Sequence, residues 1–309
     1  MALNEDEVTL DNSESDVKQG VREFYDSVGW KQIGDDIYQN ARYEDLRPVS
    51  REYIHRCHLR VTRHLSREGE YLLDAGSGPI QYPEYLEYSS GFRYRVCLDI
   101  SILALKEARK RIGSHGLFVV GDVANLPFKR NAFDGVVSLH TVHHLPANEQ
   151  RQAIEELFRV LSVGNRAVVI YSWGDRALLV RMTRLPIRLA FDLLKLYRRL
   201  TRKGDEISLP DGVSVDTESV QLLRASGTFT FKHDYEWVSR ELKDIQGLQV
   251  VVWRSVSTAF LRAFIHRIFL GKWWLRALFW AEERAPRLFG RIGQYPMILF
   301  TKQVEVDDR

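Results

Sequence analysis

The chain has 309 residues and 45% hydrophobic content, enough for one large domain, or a domain with a subdomain, around a sizeable core. Its 44 basic and 41 acidic side chains leave a formal net charge of +3, a balance that does not by itself identify a nucleic-acid binder. The two cysteines, Cys57 and Cys97, lie far apart and support neither a disulfide framework nor a cysteine metal site.

The opening MALNEDEVTLDNSESD carries acids where an export signal carries a basic region and an apolar run, and no stretch reaches the ~18 uninterrupted apolar residues of a membrane span. With so few cysteines, the expected location is cytoplasmic. Residues 1–18 read as a disordered acidic tail. Residues 19–69 read as an N-terminal helical lid, with Tyr53, Ile54, His58, Val61 and Leu65 recurring at three- and four-residue steps.

From residue 70 to 173 short apolar runs alternate with helical periods. YLLDA, YRVCLDI, LFVVGD, FDGVVSL and RAVVIYSW read as strands, and residues 83–88, 102–112 and 147–161 as the helices between them. Strands apolar without alternation belong to a sheet covered on both faces, so the expected class is α/β: a Rossmann-like, doubly wound, mostly parallel sheet. Residues 174–230 read as a basic helical insertion or substrate cap with a polar loop at 210–216. Residues 231–309 complete the sheet through LQVVVWRS and an antiparallel last strand, YPMILFTK, around an aromatic and basic helical segment at 260–291. Helical insertions thus follow the fifth and sixth strands.

The chemistry concentrates at strand ends. In LLDAGSGP, Gly76 and Gly78 allow a tight turn in which backbone approaches a ligand closely, although glycine pairs also occur in ordinary turns. Asp99 closes the second strand, where acids hydrogen-bond ribose hydroxyls in doubly wound folds. Asp122, in GDVANLPF, could accept from an adenine amino group beside the Val123 amide, or could cap the following turn. His140 stands at the carboxyl edge of the fourth strand, within reach of a ligand there; histidine titrates near neutrality, so His140 is the candidate general base, with simple packing beside a cofactor as the alternative. His143 and His144 read as loop-capping or surface residues. With no carboxylate or cysteine nearby to complete a ligand set, no metal is expected.

Taken in order, LLDAGSGP, CLDIS, GDVANLPF, FDGVVSLHTVHHL and ELFRVLSVGNRAVVIYSW resemble the successive motifs of class I S-adenosylmethionine-dependent methyltransferases, in particular the subgroup containing the ubiquinone- and menaquinone-pathway enzymes. The resemblance implies S-adenosylmethionine as cofactor. It implies that Asp74, Gly76, Ser77 and Gly78 surround the methionine part, Asp99 holds the ribose, Ile100 packs on adenine, and Asp122 and Val123 read its edge. The family's loop often has a third glycine where this chain has Ile80. REFYDSVGW resembles an aromatic lead-in that closes over the cofactor, making Tyr25 a candidate lid residue; a plain surface helix is the alternative.

Between residues 176 and 203, Arg176, Arg181, Arg184, Arg188, Lys195, Arg198, Arg199, Arg202 and Lys203 face a lone acid, Asp192, with leucines interleaved. Such a helix suits an anionic membrane surface, as do Trp273, Trp274 and Trp280, but a substrate cap or homodimer interface has the same pattern. A peripheral position at the inner membrane face is therefore a second possible location. The expected function is methyl transfer to a small-molecule or lipid-linked acceptor, at oxygen or carbon for preference. The alternatives are a non-catalytic cofactor-binding scaffold or sensor, and an RNA methyltransferase; nucleic acid is the less expected partner.

Overall fold

The computed structural model describes residues 14–30, 32–34, 37–38, 44–45, 47–200 and 228–303. Its centre is a seven-stranded sheet of β3 (Gly69–Ala75), β4 (Phe92–Asp99), β5 (Gly116–Val120), β6 (Gly135–Leu139), β7 (Arg166–Ile170), β8 (Gln249–Arg254) and β9 (Tyr295–Thr301), in the order β5-β4-β3-β6-β7-β9-β8. β3 pairs in parallel with β4 and β6, β4 with β5, and β6 with β7. The last strand, β9, runs antiparallel between β7 and β8. This is the expected doubly wound, mostly parallel sheet with an antiparallel last strand.

The strands read as continuously apolar because both faces are covered. Leu73, Val96, Val136, Val169 and Ile298 point into one buried cluster, while their neighbours Leu72, Cys97, Val137, Val168 and Leu299 point into another. Burying each large side chain contributes about 1.5–3 kcal/mol. The helices follow their local signals. α3 (Ile102–Ile112) starts where the Ser101 side chain accepts from the Ala104 amide, and it stops at Gly113, whose φ is 54°. α4 (Glu149–Val160) buries Ala153, Ile154, Leu157 and Val160 along one stripe.

The segments around this core differ from expectation in three places. Residues 14–18, read as tail, are the first turns of α1 (Glu14–Phe24), which passes into a π-helical turn at Tyr25–Gly29. The lead-in is not helical throughout: β1 (Gln32–Gly34) and β2 (Ile37–Tyr38) form a short antiparallel pair before α2 (Arg51–His58). Residues 83–89 form a 3-10 turn, opened by Pro83. Residues 1–13 of the expected tail, the loop at 210–216, Arg202, Lys203, and the side chains of Lys195, Arg198 and Arg199 lie outside the described residues.

Insertions follow the fifth and sixth strands of the seven-stranded sheet, β7 and β8. After β7 come α5 (Leu178–Leu200) and α6 (Tyr235–Glu241); after β8 come α7 (Thr258–Phe264), α8 (Gly271–Arg284) and α9 (Pro286–Ile292). A buried ion network ties the lead-in to the last insertion. Arg60 donates to Glu282 at 2.9 Å, to Glu283 at 2.8 Å and to the Trp253 carbonyl at 2.6 Å, and Tyr53 donates to Glu282 at 2.8 Å.

Candidate active site

At the carboxyl ends of β3, β4, β5 and β6 a cavity of about 400 Å³ opens, lined by Tyr25, Gly76, Ser77, Gly78, Asp99, Ile100, Asp122, Val123 and His140. These candidate residues come from strand ends and from the π-helical turn after α1, and the parallel pairing brings them to one rim. Asp74 is the exception. It is fully buried below the rim, and its carboxylate accepts from both Nε and Nη2 of the equally buried Arg95, at 3.1 and 2.6 Å. Asp74, expected beside the methionine part of the cofactor, does not line the cavity: its Oδ2 takes the guanidinium of Arg95, which also donates to the Tyr85 carbonyl.

The glycine loop is tight for identifiable reasons. A Cβ on Gly76, at φ 75°, would lie 2.2 Å from Thr141 Oγ1, and one on Gly78, at φ 53°, would meet the Trp30 ring at 3.0 Å. Ile80 keeps a positive φ of 56° where relatives often have glycine, a strain of about 1–3 kcal/mol held in place by its fully buried side chain. No helix follows directly to supply free amides. Gly76 and Ser77 donate to the Leu98 carbonyl, Gly78 to Asp99 and Ile80 to Ser77. The loop therefore offers a ligand close approach and carbonyl oxygens, which suit an ammonium or sulfonium group.

Asp99 Oδ2 accepts from Gly78 N and Oδ1 from Ser101 N, both at 2.9 Å, leaving lone pairs for hydroxyl donors. Burial pushes this carboxyl up to about 6, against those two amide bonds. Asp122 caps its turn, accepting from Ala124 N at 2.9 Å, and also takes a 2.5 Å contact from Lys18. Lys18 bridges to Glu149 at 2.5 Å; partial burial pulls its pKa down, but the two carboxylates outweigh this and raise it. Sequence reading missed Lys18 because only the packing of α1 across the rim brings it to residue 122.

The wall of the cavity from the glycine loop outward is aromatic. Tyr25 stacks on Trp30 with centroids 4.8 Å apart, and Tyr82, Tyr85 and Tyr295 continue the wall. His140, with φ 57°, sets its ring edge-on to Trp253 at 4.9 Å and to Tyr295 at 5.6 Å. Burial first, and then the Arg254 charge, push His140 down to about 3, which corrects the premise that it titrates near neutrality. The ring is neutral and only weakly basic. His143 and His144 are wall residues of the cavity, not surface ones, and burial lowers both. The Phe229 carbonyl can only accept, so His144 Nδ1 carries the proton at 2.8 Å and Nε2 accepts from the Tyr25 hydroxyl at 3.0 Å. Glu44, Lys232 and Gln294 also line this wall, where no motif announced them.

With this geometry in view, the comparisons with known proteins are specific. The family described as Methyltransferase domain matches residues 73–169. Residues 73–169 thus form a class I S-adenosylmethionine-dependent methyltransferase domain. It is similar to the Arabidopsis thaliana tRNA (carboxymethyluridine(34)-5-O)-methyltransferase, 30% identical over 44% of this chain and 37% of that protein. It is also similar to a ubiquinone/menaquinone biosynthesis C-methyltransferase of a Ruegeria species, 34% identical over 34% of this chain and 43% of that one. The match thus spans less than half the length of either relative. The methyltransferase fold extends further: the structure of Haemonchus contortus phosphoethanolamine N-methyltransferase 1, with phosphoethanolamine and S-adenosylhomocysteine, aligns with a TM-score of 0.53 at 12% identity, over 96% of this chain and 51% of that one. The cavity fits this family's cofactor, S-adenosylmethionine, in its volume, its close glycine loop and its carboxylate beside two strand ends.

Proposed function

We propose that this methyltransferase acts on a small-molecule or lipid-linked acceptor seated against the aromatic wall of the cavity. The observation that carries the reading is the continuity of one open cleft, from the glycine loop and Asp99 to Tyr82, His140 and Tyr295. When bound, S-adenosylmethionine supplies a methyl group on a sulfonium, transferred by in-line displacement. Asp99 would hold the ribose hydroxyls, Ile100 the adenine ring, and Val123, with Asp122, the adenine edge. The Gly76–Gly78 loop would hold the methionine part. Tyr25 and Trp30, stacked on each other at the wall, would close over the bound cofactor.

His140 has a lone pair but little appetite for a proton, so it suits an acceptor that ionises readily, such as a phenol or an activated ring carbon. Orientation, more than base strength, is then what the chain provides. Titration of the purified protein with S-adenosylmethionine and S-adenosylhomocysteine, followed by methyl-transfer assays on lipid extracts, tests this. Binding together with labelled lipid product supports the reading; no binding by folded protein overturns it. A second reading, RNA methylation, is favoured by the similarity to the Arabidopsis tRNA methyltransferase. It predicts RNA retention that weakens steeply with salt, and label transferred to RNA rather than to lipid.

A further inference from the structure

α5 exposes an apolar stripe that no part of the described molecule covers. Leu178, Met182, Leu185, Leu189, Leu193 and Leu196 are 48%, 66%, 65%, 55%, 66% and 53% exposed. At 3.6 residues per turn they fall within an arc of roughly 80°. The opposite side, through Val180, Thr183 and Ile187, is half-buried, and α5 packs against α7. Arg181, Arg184 and Arg188 are exposed along one flank of the stripe. Beyond α7 the pattern recurs: Phe269, Trp273, Trp274 and Trp280 are 69%, 65%, 67% and 64% exposed. Guanidiniums accompany two of these rings, Arg276 at 5.5 Å from Trp273 and Arg284 at 5.4 Å from Trp280.

We propose that α5 lies flat on an anionic lipid surface, its leucines in the headgroup boundary and its arginines on the lipid phosphates, with the exposed tryptophans of α8 as a second anchor. Charge complementarity and side-chain type select this occupant. An aliphatic stripe beside an arginine row matches a boundary that is oily below and negative above. RNA would account for the basic row but not for the six exposed aliphatic side chains beside it. Interfacial tryptophan and arginine together have the same preference for a lipid boundary. Among the described residues no helix is long and apolar enough to cross a membrane, so α5 lies along the surface. Ser172, which lines the cavity, precedes α5 by a short 3-10 turn at Gly174–Arg176, so α5 starts close to the cavity wall. The proposal does not depend on which acceptor is methylated.

The test is co-sedimentation of the full chain with vesicles of phosphatidylcholine alone and of phosphatidylcholine mixed with phosphatidylglycerol, across a salt series. Wild type is expected to pellet with the anionic vesicles, less with neutral ones, and less as salt rises. Leu185→Glu with Leu189→Glu should lower the partition coefficient at least about tenfold, with the circular dichroism spectrum and S-adenosylhomocysteine titration unchanged. Arg184→Glu with Arg188→Glu should remove the preference for anionic lipid. Failure of wild type to pellet with anionic vesicles overturns the proposal. So does equal pelleting of the leucine variant, or light scattering that finds a dimer dissolved by that variant without vesicle binding, or retention of RNA in place of lipid.

Discussion

Asp99 is a carboxylate under competing demands: it must be ionised to accept hydroxyl donors, yet it is buried beneath the glycine loop. Its folded value near 6 stands above its ordinary 3.8. A raised acid contributes stability that is fully present below its unfolded value and lost as pH rises through its folded one, so this group favours the fold at acid pH and opposes it above about 6. Cofactor binding has the opposite dependence. At pH 5 only about a tenth of Asp99 is ionised, so affinity for S-adenosylhomocysteine should be about tenfold weaker than at pH 7.5. Calorimetric titration at both values reads this, and in Asp99→Ala both the affinity and its pH dependence should be gone. His140, neutral throughout, should add no inflexion of its own to turnover at saturating cofactor between pH 6 and 8; an inflexion near 6.5 that vanishes in His140→Gln would contradict the neutral ring. Asp74→Ala should cost about 3–5 kcal/mol in denaturant unfolding, because it leaves the Arg95 charge buried without its partner.

At the scale of elements, α1 and the turn after it act as a latch. Lys18 reaches Asp122 and Glu149, and the Tyr25 hydroxyl reaches His144, on three separate segments of the rim. Lys18→Met and Tyr25→Phe should each weaken cofactor binding about 3- to 30-fold, the worth of one or two charge-assisted or buried hydrogen bonds. The midpoint of thermal unfolding should scarcely move, since the sheet core does not depend on these contacts. A different element pair governs stability. Glu282, fully buried on α8, accepts from Arg60, Tyr53 and both donors of Ser255, so it joins the segment after α2, the end of β8 and α8. Glu282→Ala should cost about 3–5 kcal/mol, measurable by denaturant unfolding, while cofactor affinity at low denaturant stays within a few-fold.

Across the whole molecule, the boundary between the legible and the illegible follows the range of the forces involved. Strand positions, the doubly wound order, the antiparallel last strand and the rim of Gly76, Gly78, Asp99, Asp122 and Val123 could all be read from the chain. They rest on continuous apolar runs, backbone freedom at glycine and the ends of strands, which are properties of neighbouring residues. The short β1–β2 pair escaped notice because so brief a pair gives almost no periodic signal. What the chain alone could not decide depends on neighbours distant in sequence. Asp74 became a partner of Arg95 because parallel pairing sets it beside Cys97, two residues from that arginine. His140 lost its basicity to burial and to Arg254, 114 positions away in numbering, and Lys18 joined the site through Asp122, 104 positions along. The amphipathy of α5 was plain in its leucines and arginines, but only the fold showed which face of it the rest of the described residues leave bare. Composition and short-range pattern determined the architecture and its motifs; burial and through-space charge, which exist only once the chain has folded, decided the protonation, pairing and exposure on which the chemistry depends.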